Sequence, residues 1–170
     1  MHKKIYLLLS LILFTSTLFA QSVENDSIST YYLIRHAEKD RSDSTNKNPD
    51  LTESGFVRAD NWTKIFDQLP IDAVYSTNYK RTLNTVLPTA KNNNLTIKTY
   101  HPFKIDIPQF IKDTKGKRVL IVGHSNTTPD FVNKLIGKEV YQDIDDTNNA
   151  NLYIVTIKGE QIFHVLIKMH

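Results

Sequence analysis

A three-layer α/β/α sandwich, with a mainly parallel sheet and a C-terminal antiparallel hairpin, is predicted for this chain by three features of its sequence. Short β-prone apolar runs alternate with longer segments whose apolar residues recur every three or four positions, the pattern of strands interleaved with amphipathic helices. The runs Tyr31-Tyr32-Leu33-Ile34 and Val119-Leu120-Ile121-Val122 are apolar at every position, as strands covered on both faces of a parallel sheet require. The last two β-prone runs are separated only by Lys158-Gly159-Glu160-Gln161, which is hairpin spacing.

The elements follow in order. Residues 1–20 read as a secretory signal peptide: Met1-His2-Lys3-Lys4 is the basic region, 5–19 the apolar region, and Ala20 the small residue near which cleavage is expected. The apolar run is shorter than the ~20 residues of a spanning helix and contains Ser10, Thr15, Ser16 and Thr17; retention as an anchor is the alternative. Residues 21–30 are polar and read as a linker, so that the folded domain covers 31–170. Tyr31 to Ile34 form the first strand, followed by a polar surface loop over 38–50. Thr52 then caps a helix with Phe56, Ala59, Trp62, Ile65, Phe66 and Leu69 on one face, stopped by Pro70. A strand over 72–76 leads to a second helix with Tyr79, Leu83, Val86, Leu87 and Ala90 on its face and Pro88 as a bend. A third strand spans 95–100, a short helical turn 107–112 and a fourth strand 117–122. Thr128, Pro129 and Asp130 start another helix, Gly137 stops it, and strands over 152–157 and 162–168 close the fold.

Composition narrows the function. A body of roughly 150 residues buries about 68–70% of its unfolded surface in a single core, so one domain suffices. With 40% hydrophobic residues and 10% aromatics the chain is an ordinary globular protein. Without Lys3 and Lys4 its 21 basic residues fall to 19, against 18 acidic ones, and no basic stripe remains to attract nucleic acid. The absence of cysteine removes disulfides, thiolate metal sites and a cysteine nucleophile. A soluble periplasmic or secreted protein, without a membrane contact after signal cleavage, is expected.

Chemistry is concentrated where strands end. In such sheets ligands bind outside the carboxyl ends of the strands, and two strands there deliver a histidine, as Arg35-His36 and Gly123-His124. Arg81, near the start of the second helix, reaches the same rim, and two guanidinium groups beside two histidines describe a phosphate cradle. Ser125 sits in the sequence Gly123-His124-Ser125-Asn126-Thr127, which lacks the closing glycine of a nucleophile elbow, so Ser125 reads as a donor to phosphate. The acidic run Asp143-Ile144-Asp145-Asp146-Thr147-Asn148 fails the calcium-loop pattern, having Asn148 at its sixth position and Ile154 at its twelfth, and reads as a solvated turn.

Four ordered motifs carry a resemblance: Leu33-Ile34-Arg35-His36-Ala37-Glu38, Leu51-Thr52-Glu53-Ser54-Gly55, Tyr75-Ser76 with Arg81 and Thr85, and Val122-Gly123-His124-Ser125-Asn126-Thr127. Together they resemble the histidine phosphatase superfamily, the phosphoglycerate mutase-like group, from about Tyr31 to the C-terminal hairpin. The resemblance implies that His36 attacks phosphorus and becomes a phosphohistidine, while Arg35, Arg81 and His124 hold the phosphoryl oxygens. It implies no cofactor and no metal, since fixed arginine charge supplies the electrostatic stabilisation. The substrate would be a small-molecule phosphomonoester or a phosphoprotein. Many members place a carboxylic general acid in the loop after the third strand, where this chain has Tyr100-His101-Pro102-Phe103. The candidates are therefore Glu38, taken first, with His101 and Asp106 as alternatives. The rival reading from another class is a non-catalytic or weakly catalytic phospho-ligand-binding protein.

Overall fold

The computed structural model describes residues 27–169; the expected signal peptide over 1–20, residues 21–26 of the expected linker and His170 lie outside the described residues. Six strands form one sheet: β1 (Ile28–Arg35), β2 (Ala73–Thr77), β3 (Ile97–Tyr100), β4 (Arg118–Gly123), β5 (Asn151–Lys158) and β6 (Gln161–Lys168). Their order is β3-β2-β4-β1-β5-β6. Pairing from β3 through β2 and β4 to β1 is parallel, whereas β5 and β6 run antiparallel. The carboxyl ends of β1 to β4 therefore share one edge.

β1 begins at Ile28, three residues before the expected domain start. Backbone pairing carries it there, not apolarity: Thr30 N–H donates to the Lys117 carbonyl at 2.9 Å, and the register runs from Ile28 opposite Lys158. Ser29 is buried, and its hydroxyl accepts from Gly116 N–H at 2.8 Å.

Alternation along the strands makes two cores. Tyr31, Leu33, Val119 and Ile121 face α3 (Ile107–Asp113) and α4 (Thr127–Ile136), which contribute Phe110, Phe131, Val132 and Leu135. Tyr32, Ile34, Leu120 and Val122 face α1 (Glu53–Phe66) and α2 (Lys80–Asn92), which contribute Trp62, Phe66, Val86 and Ala90.

Both α1 and α2 depart from the expected apolar faces. Phe56 is exposed; the α1 positions that turn inward are Gly55, Ala59, Trp62 and Phe66. In α2 the buried row is Thr82, Thr85, Val86, Thr89 and Ala90, with Leu87 left at the surface and Pro88 inside the helix. Hydroxyls are buried here because each finds a partner: Thr85 donates to the Arg81 carbonyl at 2.7 Å, and Thr89 bonds Thr63 of α1 at 2.9 Å.

The 38–50 loop is closed at its neck by backbone bonds, Asp40 N–H to the Asp50 carbonyl and Thr52 N–H to the Glu38 carbonyl, both 2.8 Å. Thr52 also caps α1, accepting from Gly55 N–H at 3.1 Å. Gly55 is required there by close approach, since a Cβ would run into the Glu38 carbonyl oxygen. Gly55→Ala should therefore cost about 1–3 kcal/mol by overpacking, read as a lower denaturant midpoint. An unchanged midpoint would mean that the loop neck yields freely.

Candidate active site

The paired ends of β1 and β4 set the two histidines side by side. Arg35 lies in register with Gly123, and His36 N–H continues the ladder to the Gly123 carbonyl at 3.0 Å. The next residue of each chain segment then projects over the sheet edge, so the His36 and His124 rings stand 5.5 Å apart at 66°. β2 hands over to α2 at the same edge, bringing Tyr79 and Arg81 to His124; the Tyr79 and His124 rings are 5.1 Å apart. These residues, with Arg35, Lys39, Ser125 and Asp146, line a cavity of about 310 Å³. The structure thus brings Arg35, His36, Arg81, His124 and Ser125 together.

Arg35 is 1% exposed, and its guanidinium is held from one side. Nη1 donates to the carbonyls of Asp145 and Asn148 at 2.8 and 2.9 Å, and Nη2 meets Asp146 Oδ1 at 2.6 Å, leaving Nε without a partner. The run 143–148, expected to be merely a solvated turn, is therefore the cradle of Arg35, because a buried guanidinium cannot shed its proton and must be met by acceptors. Asp146 also pairs with Arg41 at 2.8 Å. Hydrogen bonds from Arg41 and then Arg35 hold its carboxyl down to about 2.

Arg81 differs from Arg35. Its Nε and Nη1 are buried and have no partner, and its guanidinium carbon lies 4.4 Å from the Tyr79 ring centroid, a cation–π contact. Burial, reinforced by Arg35, disfavours its charged form. Three buried guanidinium nitrogens in all, on Arg35 and Arg81, lack acceptors, and an anion in the cavity is what would satisfy them.

The histidines are kept neutral and in defined tautomers. His36 Nδ1 lies 2.7 Å from the Ala37 carbonyl, which can only accept, so Nδ1 carries the proton and Nε2 the free lone pair. Asn149 donates to the His36 carbonyl at 2.8 Å, and Ala37 N–H donates to Thr85 at 2.8 Å, fixing the backbone on both sides. His124 Nε2 is 3.0 Å from the Thr77 hydroxyl, which itself donates to Thr82 at 3.0 Å, so His124 is the donor of that pair. Burial first, then the neighbouring His124, Arg35 and Arg81, pushes His36 down to about 3. Burial, then Arg81, Lys39 and Arg35, pushes His124 down to about 4.

The three expected acids lie elsewhere. Glu38 binds Arg58, with Nη2 at 2.6 Å and Nε at 2.8 and 3.0 Å, and lines a neighbouring cavity without His36 or Arg81. The Arg58 side chain of α1 draws it away from His36. Asp106 is exposed and caps α3, accepting from Gln109 N–H at 3.0 Å. His101 is exposed, and its Nδ1 accepts from Phe103 N–H at 3.3 Å. It lines an adjoining cavity of about 440 Å³ with Tyr79, Tyr100, Pro102 and Phe103. Tyr79, Pro102 and Phe103 border both this cavity and the first. Sequence reasoning missed Lys39, Tyr79 and Asp146 as lining residues. Lys39 follows directly on the first motif and was within reach; Asp146, 111 residues from Arg35, offered no local signal. Among the described residues no group of three His, Cys, Asp or Glu is arranged to hold a metal.

Neutral histidines have a stability consequence. The unfolded chain takes up these protons below about pH 6.5, whereas the folded chain resists until about 3 and about 4. Stability is therefore intact above pH ~6.5 and declines as the pH falls towards the folded values. The denaturant midpoint should drop between pH 6.5 and 4, less steeply in His124→Gln. Equal slopes would remove His124 from the linkage.

Known proteins resemble this chain in fold and over part of its sequence. No curated protein matches the chain in sequence, whereas the sequence model of the histidine phosphatase superfamily (branch 1) matches residues 31–104. A candidate phosphohistidine phosphatase SixA from Agrobacterium tumefaciens has the same fold, with a TM-score of 0.61 at 16% identity over 82% of this chain and 98% of that one. A candidate α-ribazole-5′-P phosphatase from Escherichia coli gives 0.66 at 13% identity, over 83% and 96%. The protein histidine phosphatase SixA complexed with tungstate gives 0.63 at 13%, over 82% and 96%. The sequence match to the histidine phosphatase superfamily thus runs from β1 through β3, and the phosphoglycerate mutase-like fold shared with these solved structures extends over the sheet to the hairpin.

Proposed function

We propose that this protein is an exported phosphohydrolase that removes phosphate from a phosphomonoester through a phosphohistidine on His36, without a metal. One observation carries the reading: the His36 Nε2 lone pair and three unpartnered, buried guanidinium nitrogens belong to residues lining one cavity. A neutral imidazole is a competent nucleophile near pH 7. Nε of Arg35, Nε and Nη1 of Arg81, and Ser125 would take the phosphoryl oxygens. A bound dianion would also favour protonation of His124, making its second ring nitrogen a donor as charge shifts in transfer. Tungstate bound to one structural neighbour, a phosphate-like oxyanion, is consistent with this use of the fold.

The remainder of the ester would extend into the adjoining cavity beside Tyr79 and Phe103. A small-molecule phosphomonoester and a phosphoprotein side chain both fit that description. Export rests on the tripartite pattern of residues 1–20; among the described residues no helix is long and apolar enough to cross a membrane. The placement of Glu38, His101 and Asp106 away from the first cavity favours a second reading, a phospho-ligand-binding protein of weak turnover. Stoichiometric binding of phosphate esters without phosphate release would select it.

Turnover of a phosphomonoester panel should persist in excess EDTA and be blocked by vanadate; loss on chelation, restored by magnesium or zinc, would overturn the metal-free reading. His36→Ala should abolish the phosphoenzyme trapped by rapid quench. His124→Ala should lower turnover by ~10²–10³ while leaving some labelling. Label on the peptide containing His124 or Ser125, or normal turnover of His36→Ala, would exclude His36 as the nucleophile.

A further inference from the structure

We propose that the Lys39 ammonium is the acid that protonates the leaving oxygen, and that its amine is the base that accepts the proton from the attacking water. The assignment rests on the phosphohistidine reading of the same cavity.

Lys39 lines the cavity with His36, Arg81 and His124, and its Nζ makes no hydrogen bond or ion pair among the described residues. Its backbone is nonetheless fixed. Lys39 bridges to Leu51, and the bonds of Glu38 to Thr52 and Asp40 to Asp50 clamp it on either side. A tethered backbone carrying a free, half-buried ammonium on a residue that lines the same cavity as His36 is a disposition suited to a proton donor.

The carboxylate candidates are committed elsewhere. Glu38 is taken by Arg58, Asp106 by the α3 terminus, and Asp146 by Arg35 and Arg41. The His124 Nε2 proton is given to Thr77. Burial and then Arg41 and Arg81, with Arg35 adding to them and Asp146 opposing, hold the Lys39 ammonium below the ordinary lysine range, so that it gives up its proton more readily. His124 faces it from the end of β4 and is neutral.

The steps balance. His36 Nε2 forms a bond to phosphorus as the P–O bond breaks; the electron pair stays on the leaving oxygen, which takes a proton from the Lys39 ammonium and departs as the alcohol. Water then attacks phosphorus, its proton passes to the Lys39 amine, and the N–P bond breaks back to the Nε2 lone pair. The products are an alcohol and inorganic phosphate, and both residues are restored.

Leaving groups of different acidity provide the test, because a nitrophenolate needs no proton and a benzyl alkoxide needs one. Lys39→Met and Lys39→Arg should each lower kcat/KM for benzyl phosphate by roughly 10²–10⁴, and lower it far less for 4-nitrophenyl phosphate. For benzyl phosphate the parent enzyme should lose activity at high pH, at a point below the ~10.4 of a free lysine, and Lys39→Arg should lack that limb. Equal losses on both esters, no loss on either, or benzyl phosphate turnover restored by Lys39→Arg would overturn the assignment and leave Lys39 at most a positive charge. A parent enzyme that releases phosphate from neither ester, and forms no phosphoenzyme, would instead bring down the hydrolase reading itself.

Discussion

A guanidinium buried at the end of the central strand is the constraint around which this site is organised. Arg35 cannot be deprotonated, and an uncompensated charge at 1% exposure would cost several kcal/mol. Its acceptors have to come from the chain, and they come from two carbonyls and a carboxylate in residues 145–148. That turn opens directly into Asn149, which holds the His36 carbonyl, and then into β5, which pairs antiparallel with β1. Compensating one charge thus locks the segment after β1 against the segment before β5. His36 is held in place as part of that lock.

Buried hydroxyls perform the finer adjustment. Thr85 in α2 binds Ala37 N–H, and Thr82 takes the proton of Thr77, whose oxygen then accepts from His124. Each hydroxyl has one proton to give and spends it in a determined direction, so the chain of donors fixes which nitrogen of His124 carries hydrogen. A row of leucines on the same face would bury more apolar area and leave Ala37 N–H unsatisfied and His124 free to turn. The polar interior of α2 is better understood as the support of the two histidines than as a weak core.

That distinction separates what was legible in the sequence from what was not. Strand and helix succession was legible, because continuous apolar runs and helical spacing report burial directly, and the hairpin turn at Gly159 follows from chemistry within four residues. The helical faces were misread where burial is polar: threonine at 82, 85 and 89 carries no apolar signal, while Leu87 and Phe56, which do, stay at the surface. The site was legible where residues follow strand ends, as Arg35, His36 and His124 do. It was not where a role depends on a distant partner. Glu38 stands two residues from His36 in sequence, yet Arg58 captures it; Asp146 looks like part of a solvated turn, yet it faces Arg35.

Charge counting explains why the histidines are buried deeply enough to remain neutral. Arg35, Lys39 and Arg81 bring three positive charges to the cavity wall and Asp146 one negative charge, leaving two. A phosphomonoester near neutral pH is a dianion, since its second ionisation lies near pH 6. The two therefore balance without further protons. Were His36 and His124 charged as well, the cavity wall would carry four uncompensated charges, and the proposed nucleophile would have no lone pair. Desolvation prevents this by disfavouring the imidazolium before any ligand arrives, and the same desolvation strengthens the attraction of the remaining cations for phosphate. On the proposed phosphohistidine reading, the burial that disarms the histidines as acids is thus what would leave one of them able to attack, and the proton for the leaving group would then come from outside the pair.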